Sequence, residues 1–169
     1  EQQSAVSAEV QNPVPKAPAQ PRKKRDRWSI YHLAVNTNKP FTDIHSTRYK
    51  EAEDQLVEAY EKVKGGQGGP NLINYIIFNE GGPENINTGR SYIDCVLEVG
   101  KKKHMLHAHI LIAICHNGLI QLNYDKIKED FTKHMKGQYT NIWYKVYSSP
   151  NQNLQNYIYK YQEVEGDHY

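Results

Sequence analysis

Cysteine is scarce: Cys95 and Cys115 are the only two in 169 residues. One pair is too few for the disulfide framework of a small secreted chain. Both lie in apolar, β-like runs and are expected as buried, reduced thiols of an intracellular protein. Long apolar runs are missing too. No stretch approaches the roughly 20 residues that a membrane-spanning helix needs, and no apolar segment follows a basic start as in a secretory leader. A bulk charge of one sign is also lacking, the net charge being +2. Residues 1–28 carry six basic side chains against three acidic, and the rest carry 15 against 16. A duplex-binding domain usually shows a large positive surplus, so any nucleic-acid function here must rest on a local site. The run Gly65-Gly-Gln-Gly-Gly-Pro70 lacks the Gly-Lys-Ser/Thr ending of a phosphate-binding loop, which argues against ATP binding there. A start at Glu1 instead of Met is expected of a piece cut from a longer protein.

Residues 1–27 are rich in Gln, Ala, Pro, Val and Ser, with prolines at 13, 15, 18 and 21. Such a segment buries too little apolar area to order itself and is expected to be a disordered arm. It ends in Pro21-Arg-Lys-Lys-Arg25, a basic run typical of nuclear import signals or phosphate-binding arms. A nuclear location is therefore expected, and a cytoplasmic one otherwise. Residues 28–165 are expected to form one domain, with 166–169 a tail.

Within that domain the pattern is regular. Residues 28–36 read as a strand, with a turn from Asn36 to Pro40. Residues 46–64 place Tyr49, Ala52, Leu56, Ala59, Tyr60 and Val63 at helical spacing behind Ser46 as N-cap. Strands are predicted at 71–79, 91–99 and 104–115, the last two joined by a short basic turn as an antiparallel hairpin. A helix over 123–136 is capped by Asn123, with Ile127 and Phe131 inward. A fifth strand covers 141–148, and Ser149-Pro150 opens a last helix to about 164. The order β-α-β-β-β-α-β-α predicts an α+β domain: a mostly antiparallel five-stranded sheet with packed helices.

Two groups of residues carry chemistry. The first is His107-Ala108-His109. Side chains alternate across a strand, so both imidazoles project from one face, while Leu106, Ala108, Ile110, Ile112 and Ile114 line the core face. On the partner strand Ile93, Cys95, Leu97 and Val99 alternate as core, so Asp94 and Glu98 share the histidine face. Glu98 sits just before the turn, and pairing returns it to His107 and His109. Two imidazoles and a carboxylate make a divalent-cation site with open positions. The cation would also offset the cost of an anionic carboxylate beside neutral rings. Asp94 is the alternative or additional ligand. The second group lies on the last helix, where Asn153, Tyr157 and Lys160 form a stripe bordering the packed face of Leu154, Ile158 and Tyr161. A neutral phenol, with a pKa near ~10, is a weak nucleophile, and a neighbouring ammonium favours the phenolate.

In this order and on these elements, Glu98…His107-Ala-His109 and Tyr157-Ile-Tyr-Lys160 resemble the motifs of the HUH endonucleases, above all the replication initiators (Rep nicking domains) of small viruses and plasmids. Tyr31-His-Leu-Ala-Val-Asn-Thr-Asn38 resembles the family's first motif. The resemblance implies an HUH/Rep-like fold of ferredoxin-like or RRM-like topology over about Trp28 to Val164. It implies Mn²⁺ or Mg²⁺ held by Glu98, His107 and His109, and cleavage of single-stranded DNA at an origin sequence or hairpin loop. Tyr157 would be the nucleophile and Lys160 its helper. Some members use two tyrosines; Tyr161, one turn on, lies deeper in the packed face, so Tyr157 is expected to act alone. Lys101, Lys102, Lys103 and His104, on the turn beside the ligands, are expected to contact the DNA backbone, and tyrosines to stack unpaired bases. Single-stranded DNA is the expected partner, with a helicase domain or host replication proteins beside it and no membrane.

Three other readings share features of this set. A single-tyrosine transposase uses the same constellation. A two-His-one-carboxylate iron oxygenase uses the same ligand types but has no role for Tyr157. A non-catalytic nucleic-acid-binding sheet would rely on aromatics.

Overall fold

The computed structural model describes residues 12–15, 25–66, 69–100, 103–135, 139–148 and 169, with the backbone alone for 139–148. The strands and helices are β1 (Arg27–Pro40), α1 (Thr47–Lys64), β2 (Ile76–Glu80), β3 (Tyr92–Val99), β4 (Met105–His116), β5 (Leu119–Leu122), α2 (Tyr124–Met135) and β6 (Tyr139–Ser148). The architecture is α+β, as the sequence predicts. The strands divide between two sheets, however, where the sequence suggested one sheet of five. One sheet has four strands in the order β3-β4-β1-β6, and β2 pairs with β5 in a sheet of two. Every pairing is antiparallel.

Helix α1 begins where the sequence places it. The Ser46 hydroxyl accepts from the Tyr49 amide at 3.1 Å, satisfying one of the free N–H groups of the first turn. The helix stops at Gly65, whose φ of 79° is the left-handed conformation that glycine adopts without Cβ strain. Helix α2 is capped by Asn123, whose side-chain oxygen accepts from the Lys126 amide. Its Ile127, Phe131 and Met135 are buried one turn apart.

Both helices pack on one face of the four-stranded sheet. Tyr31, Leu33 and Val35 of β1, with Leu106, Ala108, Ile110, Ile112 and Ile114 of β4, meet Leu56, Tyr60, Ile127 and Phe131 there. The opposite face carries a smaller apolar cluster, Ile30, Val96, Leu111 and Ala113. Cys95 and Cys115 are both buried free thiols.

Three expectations need correction. Residues 70–75 form a 3₁₀ turn and not the start of a strand; left-handed Gly69 followed by Pro70 favours a turn start, and asparagines at 71 and 74 are poor strand formers. Asn36 to Pro40 is not a turn, because β1 continues through a register shift there. Thr37 stays in the sheet, its buried hydroxyl donating to the Leu106 carbonyl. Leu119–Leu122, with no assigned element in the sequence reading, forms β5 against β2. Within the stretch expected as a tail, the Tyr169 amide donates to the Cys95 carbonyl at 2.9 Å on the outer strand β3, and the Tyr60 hydroxyl donates to its backbone oxygen. The predicted helix over 149–164, most of the 1–27 arm and residues 21–24 of its basic run lie outside the described residues.

One core-face histidine makes the fold sensitive to acid. His116 is 2% exposed. Its Nδ1–H donates to the Gly118 carbonyl at 3.1 Å, so Nε2 accepts from the Ser29 hydroxyl at 2.8 Å. Burial, and then the charge of Arg27, hold its pKa below the usual 6.5, against the opposing pull of the Gly118 carbonyl and Asp26. Between that lowered value and 6.5 the unfolded chain binds more protons than the folded one, so stability rises with pH across this window and falls on acidification through it. In urea titrations from pH 4 to 8, His116→Asn is expected to flatten that part of the stability profile.

Candidate metal centre

The candidate ligands come from one hairpin. Strands β3 and β4 pair with Glu98 opposite His107 and Val96 opposite His109. This register follows from the short turn between them and from core packing: Cys95 and Ile110, directly opposed, both face the helices. With that parity fixed, Glu98, His107 and His109 must share the other face.

The three ligand atoms converge. His107 Nε2 and His109 Nε2 are 2.9 Å apart, His109 Nε2 is 3.1 Å from Glu98 Oε2, and His107 Nε2 is 3.7 Å from the same oxygen. Two ligands about 2.1 Å from an ion and 90° apart are separated by about 3.0 Å; at a tetrahedral angle the figure is about 3.4 Å. The observed spacings lie within about 0.3 Å of this range, so the three atoms are close enough together to share a small divalent ion. Among the described residues these three form the one cluster of His, Cys, Asp or Glu able to hold a metal.

Ring orientation supports the same conclusion. His107 Nδ1 lies 3.2 Å from the Met105 carbonyl oxygen. A carbonyl can only accept, so Nδ1 carries the proton and Nε2 presents its lone pair to the cluster. The Met105 oxygen also receives the Gly100 amide at 2.9 Å, so one carbonyl closes the turn and aims the ring. On His109, burial, and then the neighbouring His107, lower the pKa, while Glu98 works in the opposite direction. The neutral imidazole, the form that binds a cation, is thereby favoured. Glu98 is half exposed, while the rings are 16% (His107) and 26% (His109) exposed, leaving the site reachable from solvent on the carboxylate side.

Comparison with known proteins gives no match: no family model, no curated protein and no solved structure aligns significantly with this chain. The site is therefore read from its own chemistry.

Asp94 does not join the cluster. It pairs with Leu111, four residues before Glu98 on the same face, which is about 13 Å along the strand. Its Oδ1 accepts from the Cys95 amide at 3.0 Å. Alternation puts Asp94 on the correct face, but distance along the strand excludes it from the ligand set. Lys103 and His104 are exposed on the turn, and His104 has a left-handed φ of 53°. Lys101, Lys102, Asn153, Tyr157, Lys160 and Tyr161 lie outside the described residues.

The sequence reading missed His32. This β1 residue is 7% exposed, and its Nε2 lies 3.0 Å from Nδ1 of His109. The rings stack at 27° with centroids 5.2 Å apart. A signal was present, since His32 has the opposite parity to Tyr31, Leu33 and Val35 and so must face the histidine side.

No helix among the described residues is long and apolar enough to cross a membrane.

Proposed function

We propose that this chain is a metal-dependent single-strand DNA endonuclease and strand transferase of the HUH type, which initiates replication of a virus or mobile element by nicking at an origin sequence or hairpin loop. The observation that carries the reading is the convergence of Glu98, His107 and His109 on one hairpin face with spacings that suit a divalent ion. Mn²⁺ or Mg²⁺ held there would supply Lewis-acid stabilisation of a scissile phosphodiester.

The protein's own groups do the rest. Glu98 and the two rings would hold the ion that balances the reacting phosphate's charge at one place on the sheet. The Tyr157 oxygen attacks phosphorus; the bond from phosphorus to the 3′ oxygen breaks, and that oxygen takes a proton to leave as a 3′-hydroxyl. The 5′ side remains as a phosphotyrosine. Attack by a 3′-hydroxyl on that ester reverses the step, so strands rejoin without ATP. Lys160, three residues after Tyr157 in the sequence, would favour the phenolate and steady the phosphate charge. Lys101, Lys102, Lys103 and His104 would hold the DNA backbone beside the ligands. Import through the basic run at 21–25 would bring the protein to a nucleus, and a helicase domain or host proteins would unwind the template.

The same ligand types serve iron(II) oxygenases, and a transposase would share every group named. Incubation with a random single-stranded DNA library and with hairpin oligonucleotides, in Mn²⁺ or Mg²⁺, tests the proposal. The expected result is a protein–DNA band that survives denaturation and vanishes with EDTA. Loss of the proposal follows if no covalent product forms with either ion.

A further inference from the structure

We propose that His32 is a positioning residue for the cation pocket: its Nε2 accepts the Nδ1–H of His109 and so turns the lone pair of His109 Nε2 toward the ion. The inference rests on the reading that Glu98, His107 and His109 hold a divalent cation.

The two ligand rings are supported in different ways. His107 leans on a backbone carbonyl, which can only accept, so its tautomer is fixed whether or not an ion is present. His109 leans on another imidazole, whose nitrogen either donates or accepts. One proton lies between His32 Nε2 and His109 Nδ1, and its owner depends on the far side of the His109 ring. With a cation on Nε2, the neutral ring keeps its proton on Nδ1. His109 then donates, and His32 must carry its own proton on Nδ1. Without a cation, His109 Nε2 faces the Glu98 carboxylate at 3.1 Å, which draws the proton to that nitrogen. His109 Nδ1 then accepts, and His32 Nε2 donates. The hydrogen bond therefore reverses direction when the ion binds, with no change in net charge on the pair.

The placement of His32 suits this role. It lies on the neighbouring strand, where the small Ala34 is the residue directly opposite His109. The near-parallel stack of the two rings limits rotation of His109 about its side-chain bonds. Outer groups of this kind commonly affect metal affinity by about 10- to 100-fold.

Calorimetric titration of the full chain with Mn²⁺ provides the first test. His32→Phe keeps a stacking ring and removes the acceptor; it is expected to weaken Mn²⁺ binding by about 10- to 100-fold. His32→Gln restores an acceptor oxygen and is expected to recover most of that loss. The second test uses the unsubstituted protein, so it stands even if His32→Phe fails to fold. Side-chain ¹⁵N shifts of His32 are expected to move to the Nδ1–H tautomer when Mg²⁺ is added. If the unsubstituted chain binds Mn²⁺ and His32→Phe binds it equally well, or if Mg²⁺ binds and leaves the His32 tautomer unchanged, the role of His32 is overturned while the metal centre stands. If the unsubstituted chain binds neither ion, the metal reading falls and the role of His32 with it.

Discussion

Tyr157→Phe is expected to eliminate the denaturation-resistant protein–DNA product, cutting cleavage by more than about 10³-fold, the scale of losing a nucleophile. Phenylalanine keeps an aromatic ring and deletes the one atom that forms the ester. Mn²⁺ affinity is expected to stay within a few-fold of the unsubstituted chain, because the proposed ligands are Glu98, His107 and His109. Binding of single-stranded DNA is expected to persist as well, since stacking and backbone contacts are unchanged. Gel analysis after denaturation reads the ester, and fluorescence anisotropy reads binding. Continued covalent attachment would move the nucleophile elsewhere, with Tyr161→Phe the next substitution to make. A cut without attachment would instead indicate hydrolysis by water and exclude strand rejoining.

His109→Ala is expected to have the second large effect, read as stability gained from metal. An ion that binds only the folded chain stabilises it by about 2.7 kcal/mol at 100 times its Kd, which for a domain of this size raises Tm on the order of 10 °C. The unsubstituted protein is expected to show that rise in Mn²⁺ and to lose it in EDTA. His109→Ala removes the ligand common to the two shortest spacings in the cluster. It is expected to weaken Mn²⁺ by more than about 100-fold, beyond what outer groups cause, and so to show almost no rise. In EDTA its Tm is expected to lie at or below that of the unsubstituted chain, because the stack on His32 and the hydrogen bonds to His32 and Glu98 are lost with the ring. A full thermal response in His109→Ala would mean that the cation binds elsewhere.

The ligand hairpin was legible in the sequence because two local rules determine it. The period of two along 104–115 separates core from site residues, and a short turn sets which residues of the two strands meet. Parity alone put Asp94 beside Glu98, however, and parity says nothing about position along the strand; the register with Leu111 removes it. His32 shows the opposite limit. Its face is readable from its neighbours, but its place beside His109 depends on how β1 and β4 slide against each other, residues 77 apart in sequence. No turn fixes that register; side-chain packing across the whole sheet does. The β2–β5 pair was hidden for a related reason. Leu119–Leu122 is four residues long, too short to show a period, and its partner lies far back in the chain behind a 3₁₀ turn whose Leu72, Ile73 and Tyr75 read as the start of that strand.

All three candidate ligands lie within twelve residues of chain, on strands that meet through one small loop. Bringing them together requires closing only a short segment, which costs little entropy and favours early formation along the folding route. A nascent chain could therefore capture an ion before either helix has docked, and the ion would then serve as a seed around which the larger sheet assembles.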